Sequence, residues 1–353
     1  MEPLAEVQVR WRLRGRAASL RAVAMRILYA VLLLLFLTPA WMGEKRLPLL
    51  GPEPVFEASP VMLDAANPAR RKVGQLTWLG GVQLKSRDPA FGGFSAMQVT
   101  GDQFTLLSDG GNIVRFRMDG QWRISERAFA ELPAGPGTGW LKQDRDSESM
   151  TTDPATGQIW VGFERANAIW RFSPGLARAE AHAAPAAMAR WPDNSGAEAM
   201  VRLPGGGFVV IGERQSWPHG KGRAALFFPG DPTEHPDSGI RFSYLPPAGH
   251  DPSDLAMLPD GRLLVLNRRF VLPFKFSATL SVIDPAAIRP GALVHGRDIA
   301  TLASPLIHDN FEGLAITREG GATIVWIASD DNQLFLQRSL LLKFRLEPDP
   351  VRR

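Results

Sequence analysis

The 353-residue sequence contains no cysteine. That absence excludes disulfides, thiolate-bound zinc or iron–sulfur centres, a cysteine nucleophile and a lipidated N-terminal cysteine. Tyrosine is scarce, with two residues against ten tryptophans. Long stretches of helical periodicity are also scarce beyond residue 70, which disfavours an α-helical body. The only helix-like stretch there is the Ala-rich segment Leu176 to Arg190, read as a surface insertion. The 34 Gly and 29 Pro instead punctuate short runs rich in Val, Ile, Leu and Trp, the pattern of strands and turns.

An excess of positive charge is present, but not in the body. Residues 1–50 hold eight bases and three acids, so the totals of 40 and 36 leave 32 bases and 33 acids for the remainder. Nucleic-acid binding therefore loses its electrostatic support, and no nucleic-acid partner is expected. The basic leader precedes a 17-residue uncharged run, Ile27 to Gly43, with Met25 as a second candidate start. That length lies between a signal-peptide core and a membrane span. Residues 1–50 read as an export leader plus linker, either cleaved or kept as an N-terminal anchor in the inner membrane. No twin-arginine pair accompanies it. The expected location is periplasmic or extracellular, and Leu47 to Pro60 reads as a Pro-rich linker.

Five segments of the body share one pattern: a small or acidic residue, a strand, a turn, a second strand and a terminal acid. They begin near Ser95, Glu148, Glu198, Asp254 and Glu312, at intervals of 53, 50, 56 and 58 residues. Strand-rich repeats of about 50–58 residues suit the blades of an all-β propeller. Residues 70–349 read as this single domain, with five blades and six as the alternative. The fifth repeat lacks a fourth strand, and Gln75 to Leu84 is placed to supply it, closing the ring and hiding its edges.

First and second strands of each repeat run out and back, so their outer ends share one face. Aligned in this way, Ser95, Glu148, Glu198, Asp254 and Glu312 face Asp109, Glu164, Glu213, Asn267 and Asp330 around one mouth. Crowded carboxylates raise one another's pKa until a proton or cation enters, and a hard divalent ion such as Ca²⁺ suits oxygen donors in an exported protein. Glu148, Glu198 and Glu312 are the candidate catalytic groups. Asp109, Glu164, Glu213, Asp254 and Asp330 are the candidate metal ligands, and Arg165, Arg214 and Arg268 the candidate anion binders. The competing reading is architectural: a residue repeated in every blade can equally bond backbone N–H groups of its neighbour or pair with these arginines.

Other chemistries fit less well. Ser95 lies in G-F-S-A-M, without the strand–elbow–helix context of a serine hydrolase. His250 and His308, each four residues before a leading acid, read as loop residues. Asp144, Asp146 and Glu148 begin like a calcium loop, but Ala155 stands where the bidentate Glu belongs. The Gly-rich runs at 135–139 and 205–207 are turns, and the tryptophans read as packing between blades.

The pieces GGFSAM with LLSDGGN, DSESM with GFE, EAM with GER, PSDLAMLPDGRLLVLNRR, and NFEGLA with ASDDN together resemble the phytase-like domain family of exported bacterial proteins, over roughly residues 70–346. The resemblance implies a β-propeller, hydrolysis of a phosphate or carboxylic ester, and Ca²⁺ by similarity to propeller phytases. The expected ligand is an anionic or ester small molecule bound by a monomer. The alternative is a non-enzymatic envelope propeller that binds a partner or ligand.

Overall fold

A computed structural model describes residues 23, 25–31, 46–193, 196–272 and 275–348. The chain divides into two units, 1–45 and 46–353. Of the first, residues 25–31 are helical and exposed, and most of the expected leader lies outside the described residues. Among the described residues no helix is long and apolar enough to cross a membrane.

The second unit is a ring of five antiparallel sheets, the five-bladed all-β propeller that the repeats imply. Blade 1 comprises Phe94–Thr100, Gln103–Ser108, Asn112–Met118 and Ile124–Glu131. Blade 2 comprises Ser147–Thr152, Ile159–Phe163, Ala168–Phe172 and Ala179–Ala183. Blade 3 comprises Ala197–Arg202, Phe208–Gly212, Arg223–Phe228 and Ile240–Leu245, with Leu293–His295 added in parallel at its edge. Blade 4 comprises Asp251–Met257, Leu263–Val271, Lys275–Ile283 and Arg297–Leu302. Blade 5 comprises Asn310–Glu319, Ala322–Asp330 and Ser339–Leu346, completed by Leu76–Ser86. The first strands of neighbouring blades pack on one another around the whole ring.

Closure by Leu76–Ser86 follows the sequence expectation, but the sheet continues further. Phe56–Pro60 pairs antiparallel with Leu76–Ser86, so the segment read as a linker is a fifth strand of blade 5. Upstream of it, Leu47 N donates to Trp140 O at 3.0 Å and Leu50 N to Asn112 Oδ1 at 3.2 Å. Among the described residues all strands lie between residues 56 and 346, so the strands that close this fold are contained in residues 46–348.

A second correction concerns the Ala-rich stretch at 176–190. Its small, helix-favouring side chains are drawn into the sheet as Ala179–Ala183, the outer strand of blade 2, where pairing with Ala168–Phe172 outweighs propensity. Packing between blades is aromatic, as the tryptophans suggest: Trp326 meets Phe104 edge-on at 4.9 Å, and Trp160 meets Phe208 at 5.0 Å.

Candidate active site at the mouth of the ring

Every first strand carries a β-bulge two or three residues from its start. Ser95, Glu148, Glu198, Ser253 and Glu312 are the residues left unpaired, each opposite no partner on the second strand. A bulge turns its extra residue out of the pleat, and here it delivers one side chain per blade to the same end of the ring. The second strands reach the same end at Asp109, Glu164, Glu213, Arg268 and Asp330, that of blade 4 running on to Val271.

The register corrects the repeat alignment in blade 4. Ser253, not Asp254, is the bulged residue, and Arg268, not Asn267, occupies the position held elsewhere by an acid. Asp254 is buried and faces away from this arrangement. Its carboxylate accepts from Leu255 N at 2.7 Å and from Leu314 N of blade 5 at 2.6 Å, the architectural role weighed for repeated acids. Asn267 is likewise internal, bonded to Tyr244 Oη at 2.9 Å. The mouth therefore holds seven carboxylates, two serines and one arginine. The serines are latches: Ser95 Oγ donates to Ser147 O at 2.6 Å, and Ser253 Oγ to Phe311 O at 3.1 Å, each across a blade boundary.

Arg268 is the cation at the centre of the site. Its Nη2 lies 2.7 Å from Glu213 and its Nη1 3.1 Å from Glu312. Burial works against its charge, but Glu312, Glu213, Glu198 and Glu148 outweigh that cost and hold its pKa above the ordinary value. Its buried Nε–H has no hydrogen-bond partner among the described residues. Asn310, which sequence reasoning passed over, joins the two sides. Its Nδ2 donates to Glu312 at 2.8 Å and to Asp330 at 3.3 Å, while its Oδ1 accepts from Arg268 at 2.9 Å.

On the opposite side of the ring the cations stand at the edge of the carboxylate cluster: Arg165 bonds Asp146, and Lys142, paired with Asp109, also acts on Asp146 and Glu148. One ligand oxygen from each of Asp146, Glu148 and Glu164 lies within 4.8 Å of the others. Desolvation raises the pKa of Glu148 well above the usual range, and Glu198, Glu164 and Glu312 push it further. Glu198 is raised similarly by burial and by Glu213. It hydrogen-bonds Glu164, whose own pKa is pushed up to about 7 by burial and Asp146 despite that bond and one from Gly196 N. Desolvation also raises Asp146, Glu312 and Asp330. Gly196 has a steric reason to be glycine, since a Cβ there would lie 2.6 Å from Glu164 Cα.

The remaining candidates sit at the rim. Asp109 is paired with Lys142, a partner the sequence pattern did not single out. Arg165 Nε is 2.9 Å from Asp146, and Arg214 Nη2 is 3.3 Å from Glu213, with both guanidinium groups largely exposed. His250 and His308 are turned to carbonyls of their own loops, Ala248 and Leu306. Asp144 caps the 138–141 loop, accepting from Thr138 Oγ1 at 3.0 Å and from Leu141 N at 3.3 Å. A cavity of about 730 Å³ lined by Trp122, Trp326 and Lys343 lies between blades 5 and 1 at the other end of the strands, away from this chemistry.

Fold and site define a five-bladed propeller with a carboxylate-lined mouth organised around one arginine. The family described as Phytase-like, "Esterase-like activity of phytase", matches residues 89–333, and the chain belongs to it. No curated protein matches the sequence. Among solved structures the chain is similar to the β-propeller domain of Cps50 (Swd1) from Myceliophteria thermophila, with 12% identity and a TM-score of 0.35 over 74% of this chain and 73% of that one. It is similar to a hypothetical protein from Leishmania major, with 10% identity and a TM-score of 0.43 over 80% and 93%. It is also similar to Kuenenia stuttgartiensis hydrazine synthase, with 12% identity and a TM-score of 0.34 over 69% of this chain, and it spans 57% of that chain. These likenesses are of fold alone.

Proposed function

We propose that the protein is an exported hydrolase whose mouth cleaves a phosphate or carboxylic ester with the help of a bound Ca²⁺. The observation that carries the proposal is the convergence of Asp146, Glu148 and Glu164 within 4.8 Å on the side of the mouth away from Arg268. Three hard oxygen donors at that spacing fit a cation that takes six to eight oxygens at about 2.3–2.6 Å. Family membership supports the hydrolase reading at the level of class.

In this reading Asp146, Glu148 and Glu164 hold the ion, and Asp109, Glu213 and Asp330 shape the field around it. The ion supplies Lewis-acid polarisation of the ester oxygen when bound. Burial and the charge of Glu213 raise the pKa of Glu198 well above the ordinary carboxyl value, and its bond to Glu164 orients it, which suits Glu198 to act as general acid toward the leaving oxygen. Glu312 is held by Arg268 and Asn310, which fixes its orientation. Arg165 and Arg214, exposed at the rim, attract an anionic group, and the unpaired Nε–H of Arg268 offers a further donor behind them.

The test is turnover by the full chain on phosphomonoesters, carboxylic esters and lactones, with Ca²⁺ or with chelator. One substrate class is expected to turn over only with Ca²⁺, and Glu198→Gln is expected to lower kcat by about 100-fold. Absence of turnover on all three classes, with Glu198→Gln unchanged in every measured property, refutes the enzyme reading in favour of a non-catalytic propeller.

A further inference from the structure

The mouth end of the ring differs from the opposite end in a way the proposed chemistry does not use. In blade 4 the hairpin formed by Leu263–Val271 and Lys275–Ile283 continues past Arg268, with Phe270 paired to Phe276 and Val271 to Lys275. At about 3.3 Å per residue it rises roughly 10 Å beyond the carboxylates. Its described outer residues are apolar and exposed: Phe270, Val271 and Leu272, the last at 79%. Contact between the Phe270 and Phe276 rings at 4.9 Å braces it.

In the adjacent blade 5 the loop following Asp330 carries Leu334, Phe335 and Leu336, with Phe335 at 94% exposure. Trp140 on the blade 2 side of the same end is 59% exposed. By contrast, the turns at the opposite end, 101–102, 119–123, 153–158, 173–178, 203–207, 229–239, 258–262, 284–292 and 320–321, contain none of the exposed large apolar residues. Exposed Arg269 and Lys275 flank the hairpin tip.

Chain connectivity identifies the occupant. The unit 46–353 begins at this same end, where Arg46 bridges to Leu141 and its guanidinium lies 4.4 Å over the Trp140 ring. The uncharged run of the sequence ends at Gly43, three residues before Arg46. Three residues span at most about 10 Å, so a bilayer that receives the run is tethered beside the mouth. Apolar tips flanked by cations on a rigid frame are the chemistry that inserts into the headgroup boundary of an anionic membrane.

We infer that the mouth face is a membrane-docking surface, with the Phe270–Leu272 hairpin and the Leu334–Leu336 loop seated in an anionic lipid interface around the site. The inference does not rest on the hydrolase reading, since it draws on loops outside the carboxylate ring. The test is flotation of residues 46–353, which lack the leader, with vesicles of equimolar phosphatidylcholine and phosphatidylglycerol. Co-flotation is expected, weaker on phosphatidylcholine alone. The combined variant Phe270→Ser, Leu272→Ser, Phe335→Ser is expected to lose about tenfold in partitioning for each side chain changed, with its melting temperature unchanged. Leu79→Ser, an exposed apolar residue on blade 5 outside these loops, is expected to float as the parent does. No flotation on either vesicle, or equal flotation by the triple variant, overturns the inference. A concentration-dependent dimer in light scattering that the triple variant abolishes, without flotation, assigns the tips to a second copy and overturns it equally.

Discussion

Arg268 stands where four other blades place an acid, and one inverted charge changes what the site can tolerate. Glu213 at 2.7 Å and Glu312 at 3.1 Å share a guanidinium that Glu198 and Glu148 also feel. Removing one partner of a buried ion pair costs more than the pair itself is worth, typically about 3–5 kcal/mol, because the other charge stays buried. Arg268→Leu is therefore expected to destabilise the protein by about that amount at pH 7, read by chemical or thermal unfolding. The loss should shrink near pH 4, where the stranded carboxylates take up protons and no longer need a cation. An equal loss at both pH values would trace the effect to packing. The position was only half legible in sequence. The repeats showed an acid missing after Leu266, but aligning blade 4 on the acid Asp254, when Ser253 is the residue that bulges as Ser95 does in blade 1, put the gap one residue early, at Asn267. Asn310 was invisible for a related reason: its role depends on lying directly opposite Asp330 while Arg268 approaches from the neighbouring blade.

At the scale of elements, the hairpins were readable because first and second strands alternate around strong turn signals such as Pro259, Asp260 and Gly261. The outer strands were not. Ala179–Ala183 carries side chains that favour a helix in isolation, and the sheet edge offered by Ala168–Phe172 decides its state. Phe56–Pro60 was obscured by flanking prolines, which a terminal edge strand tolerates because only one side must pair. The two N-terminal strands of blade 5, Phe56–Pro60 and Leu76–Ser86, predict how the ring holds together. A chain beginning at Arg87 lacks both and leaves Ser339–Leu346 as an unpaired edge beside the buried Phe344 and Leu342. It is expected to aggregate and to lose cooperative unfolding, whereas a chain beginning at Arg46 should melt as the full chain does. Size-exclusion chromatography with light scattering and calorimetry compare them. A monomeric Arg87 chain with an unchanged transition would mean that the ring does not depend on its closure strands.

For the whole molecule, the clustered carboxylates tie stability to pH in a direction opposite to that of ordinary surface ion pairs. Glu164 has its pKa raised from the ordinary 4.5 to about 7, and Glu148, Glu198 and Asp330 are also raised. A raised carboxyl pKa means that the folded state holds protons the unfolded chain has released. The stabilisation is complete below about pH 4.5 and is lost as pH rises through the folded value. Across the window from 4.5 to about 7 given by Glu164, each such group can remove up to about 1.4 kcal/mol per pH unit. In chelator the melting temperature of the full chain is therefore expected to fall as the pH is raised through that interval. A cation held by Asp146, Glu148 and Glu164 competes with those same protons, so Ca²⁺ should restore the lost stability at pH 7 and do little at pH 4.5. At a free concentration of 100 times Kd the gain is about 2.7 kcal/mol. Calorimetry at the two pH values, with Ca²⁺ and with chelator, reads both effects. A Ca²⁺ response equal at both would place the ion away from these carboxylates, and no response at pH 7 would leave the mouth stabilised by protons alone.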